Sequence, residues 1–461
     1  MNFLYILLAL LIFGFLIFIH ELGHFIVARL CGVKILEFAI GMGPKLVSWQ
    51  SKKSGTKYAL RLFPIGGFVS MLGENGMEAV QGDNGSQEGA DDKVESLIND
   101  AEIEEDHSET EDGVAEMDPE LAKQAYCNQS VWKRILISLA GPAMNVVLGF
   151  VLMLVMVLMA GHANLATNTV AGFYLDYIGE TEESGFQPGD SLYSIDGKRV
   201  LTYASLAETV NQNPGKVFEI SVLRLNEEGT QSDIVSFSSE LDSEMLSLFR
   251  IPSSEACGLQ AQDTILKVNS VTVHTYNELY YEITNQGYDA LTLTVLRDGE
   301  TVEIKDVTYL TVEESGVLFG EVDIIPYREQ NFDFITVLKH TWYRSLSTVK
   351  MVYDSLFGMI TGRFGVESVS GPVGITKTIG ETVQYGFTNL LYLIVVISIN
   401  LGVMNLLPLP ALDGGHILIY LIELIRRKPL KPEVEAIINF VGLVVLLGLA
   451  VLVAIKDIIS L

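Results

Sequence analysis

The chain has 461 residues, 49% of them hydrophobic, with a mean hydropathy of +0.34 although 19% are charged. That combination fits apolar spans alternating with polar segments rather than one soluble core. The net charge of −27, most of it in one acidic run, argues against nucleic-acid binding, which needs a basic surface. Three cysteines without a CxxC pair exclude a disulfide framework or a thiolate metal site.

From the N-terminus, Phe3 to Ile19 is an unbroken run of apolar residues and glycine, and Phe25, Ile26 and Val27 extend it. No Lys or Arg precedes the run and no small-x-small site follows it, so 1–30 is expected to span a membrane rather than to be a cleaved leader. Three more spans are predicted within 131–161, 386–416 and 434–458, each reaching the roughly 20 residues that cross a bilayer. Basic residues gather after the first span (Lys34, Lys45, Lys52, Lys53), before the second (Lys133, Arg134) and between the last two (Arg426, Arg427, Lys428). The positive-inside rule makes those loops cytoplasmic and puts the N-terminus, the segment from about 162 to 386 and the C-terminus outside.

Residues 31–73 hold short alternating stretches bounded by Gly41, Gly43-Pro44, Gly55 and Gly66-Gly67, which predict a β-hairpin or small sheet close to the membrane. In the segment 74–125, the stretch from Glu74 to Glu120 has 18 acidic residues and a single basic one, Lys93. It holds most of the net charge and predicts a solvated, disordered cytoplasmic loop.

The outer segment carries a degenerate repeat. One copy reads ESGFQPGDSLYSIDGKRV and the next EACGLQAQDTILKVNSVTV, each followed by a predicted helix (Ser205 to Gln212; Tyr276 to Asn285) and strands. The pattern resembles the PDZ domains of bacterial proteases, α+β modules that bind extended peptides by strand addition. The first copy, 165–240, follows it closely; the second, 241–312, departs from it at Gln262-Asp263 and Asn269-Ser270. Over 330–363, Phe334, Val337, Leu338, Trp342 and Leu346 recur at helical spacing, predicting an amphipathic helix that lies on the membrane or packs on the repeated modules.

The chemistry concentrates at His20-Glu21-Leu22-Gly23-His24, an HExxH motif inside the first apolar run. The i, i+4 spacing puts both histidines on one helix face, where two neutral imidazoles can hold zinc. Glu21 follows as the general base beside the attacking water. Ionisable groups inside a membrane cost about 2.5–3.5 kcal/mol each on insertion scales, so their presence there signals function. A catalytic zinc needs a third protein ligand and an open position. Asp413 is the candidate, in NLLPLPALDGGH from Asn405 to His416: Pro408 and Pro410 break the helix, and Gly414-Gly415 let the backbone bend so that Asp413 points inward. His416 is a rival ligand, but a turn-stabilising role suits it better because two histidines and a carboxylate already form a catalytic set. His20 lies about 26 Å along the first span at about 1.5 Å per residue, and Asp413 lies at a comparable depth along the third.

HExxH, GPAMN at Gly141 to Asn145, SGPVGI at Ser370 to Ile375 and the LDGGH segment together resemble the site-2 protease family of intramembrane zinc metalloproteases, in its regulator of sigma-E protease group. The resemblance covers nearly the whole chain outside the acidic stretch. It implies a polytopic α-helical membrane protein of about four transmembrane helices, with a membrane-associated β-hairpin and two inserted PDZ-like domains. It implies zinc held by His20, His24 and Asp413, with Glu21 activating water. Asn405 would contact the substrate backbone, and Asn145 would be a packing or hinge residue. The substrate helix would unwind into an extended strand near the hairpin. The setting would be a bacterial inner membrane, and the reaction the second cut of a transmembrane protein such as an anti-sigma factor, with the PDZ pair as a size filter. Two other readings stay open on the residues alone: a membrane-anchored PDZ adaptor with a vestigial metal site, and a zinc transporter. Intact ligands and base oppose the first, and the single polar cluster opposes the second.

Overall fold

The computed structural model describes residues 3–74, 119–161, 165–180, 185–225, 232–286, 289–314, 317–363 and 369–459. The acidic stretch therefore lies, from 75 to 118, outside the described residues. The chain forms two compact units, Met1–Gly149 with Ser370–Leu461, and Phe150–Val369.

Helix α1 (Phe3–Leu30) is apolar on every side up to Ile19, as suits a helix surrounded by lipid and other helices, and His20, Glu21 and His24 follow within it. Strands β1 (Ile35–Gln50) and β2 (Lys57–Met71) follow, and they make more than a plain hairpin. Residues 37–40 pair with 67–70 on one side and with 57–60 on the other, while 57–61 pair in turn with 45–50. Both strands bend back on themselves, with positive φ at Gly41, Gly43 and Gly66, a conformation that favours glycine. Among the described residues no further strand pairs with the outer ribbon, 66–71. It runs beside α1: a Cβ on Gly67 would lie 3.1 Å from Glu21 Cγ and 3.5 Å from Ile17 Cγ2. The chain returns at Tyr126, whose N–H donates to the Leu72 carbonyl at 2.7 Å, and enters α2 (Val131–Ala160). Gly23 lets α1 and α2 approach closely, since a Cβ there would run into the Ala140 carbonyl.

The second unit contains β3 (Ala166–Phe173), β4 (Ser191–Ile195), β5 (Lys198–Arg199), α3 (Tyr203–Asn211), β6 (Val217–Leu225), β7 (Ser232–Glu240), β8 (Thr264–Val268) and β9 (Val271–Thr272). It continues through α4 (Tyr276–Gln286), β10 (Leu291–Arg297), β11 (Glu300–Val307), β12 (Thr311–Glu314), β13 (Val317–Gly320), β14 (Ile324–Arg328) and α5 (Phe334–Thr361). One sheet runs β5-β4-β6-β7, a second β11-β10-β8-β3-β14 with β9 beside β8, and β12 pairs with β13. The expected division into 165–240 and 241–312 is corrected here. β3 belongs to the second sheet, so the first module is inserted between two strands of the second. Long-range pairing, such as Ile324 opposite Phe173, holds β3 there, and no local pattern encodes it.

The repeat itself is geometric. Arg224 donates to both carboxylate oxygens of buried Asp190 (2.8 and 2.6 Å) and to the Gly185 carbonyl (2.7 Å). Arg297, 73 residues later, does the same to Asp263 (2.8 and 2.6 Å) and Gly258 (2.8 Å). Gln262 holds, at φ +77°, the left-handed position that Gly189 holds at +86°. A bidentate arginine on a buried carboxylate thus fixes the same turn in both copies, with or without the glycine. In α5 the packed face mixes valines (Val337, Val352) with polar residues (His340, Thr341, Ser345), while Phe334, Leu338, Trp342, Leu346 and Phe357 are exposed.

The chain rejoins the first unit through α6 (Pro372–Gln384), α7 (Phe387–Asn405), α8 (Asp413–Arg426) and α9 (Pro432–Ile459). At the start of α6 the backbone N–H groups of Gly371 and Gly374 both donate to Asp457 Oδ2 at 2.8 Å, which places a carboxylate at a helix N-terminus. The third predicted span, 386–416, is corrected: α7 stops at Asn405, and Asp413 begins a separate helix. Two prolines within 406–412 end the first helix, and Ala411 turns the chain at φ +67°. Among the described residues four helices are long and apolar enough to cross a membrane: Leu4–Leu30, Val131–Met159, Phe387–Asn405 and Glu433–Ile459.

Candidate metal centre

α1 carries His20 and His24 one turn apart, and their Nε2 atoms lie 3.2 Å from each other. Asp413, at the first position of α8, completes the group: Oδ2 is 3.1 Å from His20 Nε2 and Oδ1 is 3.4 Å from His24 Nε2. Ligand atoms about 2.0–2.1 Å from a tetrahedral zinc are separated by about 3.3 Å, and the two imidazole nitrogens match that spacing while the Asp413 carboxylate turns one oxygen toward each of them. Among the described residues this is the group of His, Cys, Asp and Glu side chains whose donor atoms converge closely enough to hold a metal.

Local sequence builds each wall. A Cβ on Gly141 of α2 would run into the His24 ring and lie 2.8 Å from His20 Nε2, so this glycine is the space the imidazoles occupy. His24 Nδ1 lies 2.8 Å from the Ile137 carbonyl and donates to it when Nε2 carries the metal-binding lone pair. Gly414 and Gly415 let α8 start tightly, since Cβ atoms there would run into the carbonyls of Leu406 and Leu409. α8 is tied to α2 by Arg134, which donates to buried Glu423 at 2.8 Å and lies 4.7 Å above the Tyr420 ring. Tyr126 and Tyr420 add a hydroxyl–hydroxyl contact of 3.0 Å, and burial pushes the Tyr126 phenol up to about 12, so it stays neutral. α7 approaches α2 at Gly402, where a Cβ would lie 2.8 Å from the Pro142 carbonyl.

Glu21 follows His20 and points its side chain toward the ribbon at Gly67. His416 stands apart from the three converging groups, with Nδ1 3.4 Å from Glu435 Oε1 on α9. Asn405 is half-buried at the end of α7. Gly141 escaped sequence reasoning, and Asn145 reads from the sequence only as a packing or hinge residue near the site. Gly141 gave no signal beyond its place in a recognisable motif. Asn145, expected to pack or hinge, is fully buried with Nδ2 3.2 Å from His20 Nδ1; the signal was an amide inside an apolar span.

The chain matches peptidase family M50 over residues 8–449. It belongs to that family. It is 30% identical to the zinc metalloprotease RasP of Bacillus licheniformis over 97% of each chain. It is 29% identical to the regulator of sigma-W protease RasP of Bacillus subtilis, over 97% of this chain and 96% of that one. The RasP zinc metalloprotease of Oceanobacillus iheyensis is 28% identical over 97% of each. The enzyme is therefore a zinc-dependent metalloendopeptidase of the site-2 protease type and a membrane protein.

Replacing Gly141 by Val should lower zinc affinity and activity together, because its branched side chain fills the volume of the imidazoles. Zinc content after dialysis against a weak chelator, compared between this variant and wild type, checks it.

Proposed function

We propose that the enzyme hydrolyses a peptide bond within the transmembrane segment of another membrane protein. The observation that carries this reading is the position of His20 and His24 on a helix long and apolar enough to cross a bilayer. His20, His24 and Asp413 hold zinc, which when bound polarises the scissile carbonyl and acidifies water. Glu21 takes the proton of the attacking water and passes it to the leaving amine. Ribbon 66–71 offers an unpaired edge beside Glu21, so a substrate segment unwound from its helix can add there as a strand. Asn405 contacts the backbone of that segment. The test is incubation of the purified enzyme with a single-span substrate in detergent and mass measurement of the fragments. Cuts confined to soluble flanks would refute the intramembrane reading.

The basic loops support a topology with 34–61 and 426–431 in the cytoplasm and 165–328 outside a bacterial inner membrane. The repeated modules there are PDZ-like domains that exclude substrates with bulky external parts. A relative named as a regulator of sigma-W protease favours an anti-sigma factor as substrate in a second-step cut. The Leu165 carbonyl accepts from the Glu329 N–H at 2.8 Å, so 166–328 can be excised between chain ends that already lie side by side. The excised enzyme should keep zinc, cleave pre-trimmed substrate at a similar rate and also cleave the untrimmed form. Unchanged resistance of the untrimmed form would reject the filter.

A further inference from the structure

We infer that Asn145 is a positioning residue for His20, accepting a hydrogen bond from its Nδ1–H through the amide oxygen and so fixing the ring tautomer that binds zinc. The inference rests on the proposed role of His20 as a ligand.

The ring geometry sets the requirement. His20 turns Nε2 toward His24 Nε2 (3.2 Å) and Asp413 Oδ2 (3.1 Å), so Nε2 is the ligand atom. A neutral imidazole that binds through Nε2 keeps its proton on Nδ1, and that proton needs an acceptor. Asn145 Nδ2, 3.2 Å away, is a donor and cannot serve. Asn145 Oδ1 can. Among the described residues it is buried without a hydrogen-bond partner where it stands, so turning the amide by half a rotation costs it no bond and sets an acceptor against Nδ1–H. The two orientations match the two ring tautomers: nitrogen toward Nδ1 goes with a proton on Nε2, and oxygen toward Nδ1 goes with a free Nε2 lone pair.

The surroundings hold Asn145 for this task. Its relative exposure is 0%, and Ser398 of α7 donates to its backbone carbonyl at 2.8 Å. His24 meets the same need differently, since its Nδ1 faces the Ile137 carbonyl, which can only accept. Both outer partners come from α2, one on each side of Gly141. The GPAMN segment thereby supplies the room for both rings, and α2 supplies an orienting acceptor for each.

The experiment measures zinc affinity by chelator competition on the full-length purified enzyme, with thermal stability recorded for the zinc-free forms. In Asn145→Asp the ionised side chain can only accept, so the variant should fold and bind zinc within about threefold of wild type or more tightly. In Asn145→Leu, of similar volume, affinity should fall about 10–100-fold, the usual cost of losing an outer-shell partner. Cobalt substitution should give a wild-type visible spectrum in the Asp variant and an altered one in the Leu variant. Three results overturn the inference: Leu binds zinc as wild type does, Asp loses affinity as Leu does, or Asp yields no folded protein. His20→Ala separates the two levels. If it binds zinc normally, the ligand assignment fails; if it loses zinc while both Asn145 variants match wild type, the positioning role alone fails.

Discussion

Glu21→Gln is expected to lose cleavage by about 10²–10⁴-fold or more while keeping its zinc. The amide leaves His20, His24 and Asp413 untouched, and it is nearly the size of the carboxylate, so the packing against Gly67 survives. What disappears is the capacity to accept a proton from water and return it to the leaving amine. Zinc content measured on the same preparation as the cleavage rate checks this. Turnover within a few-fold of wild type would remove Glu21 from its role, and loss of zinc would show that it acts in metal binding instead.

The second large effect separates Asp413 from His416. Asp413→Ala removes an oxygen that lies 3.1 Å from one imidazole nitrogen and another 3.4 Å from the second. Zinc affinity should fall by more than the 10–100-fold that loss of an outer-shell partner costs, and activity should fall with it. His416→Ala removes a contact to Glu435 at 3.4 Å, and zinc affinity should stay within a few-fold of wild type. Metal analysis after equilibration with a chelator of known affinity reads both variants. The reverse pattern would make His416 the ligand.

How much was legible in the sequence follows from range. His20, Glu21 and His24 lie within five residues on one helix, so their spacing alone put the imidazoles on one face. Asp413 was reachable because prolines and glycines around it have strong backbone consequences. The break at Pro408 and Pro410 was legible, but its extent was not: the predicted span 386–416 is α7 ending at Asn405 and a separate helix α8 opening at Asp413. Contacts between distant residues were out of reach. Nothing near Asn145 says that His20, 125 residues earlier, faces it. The Arg224–Asp190 and Arg297–Asp263 pairs, each 34 residues apart, show the repeat more sharply than the letters do. The insertion of one module inside the other depends on β3 finding β14, which local periodicity cannot report.

The most direct measurement is zinc stoichiometry and coordination by X-ray absorption on the purified enzyme, with cleavage of a single-span substrate followed in the same samples. We predict bound zinc in an all nitrogen and oxygen environment that includes imidazole, loss of cleavage on metal removal, and recovery on adding zinc. His20→Ala, His24→Ala and Asp413→Ala should each lose the metal signal. Cleavage that persists in metal-free enzyme, or zinc that stays bound after all three residues are replaced, would contradict the account.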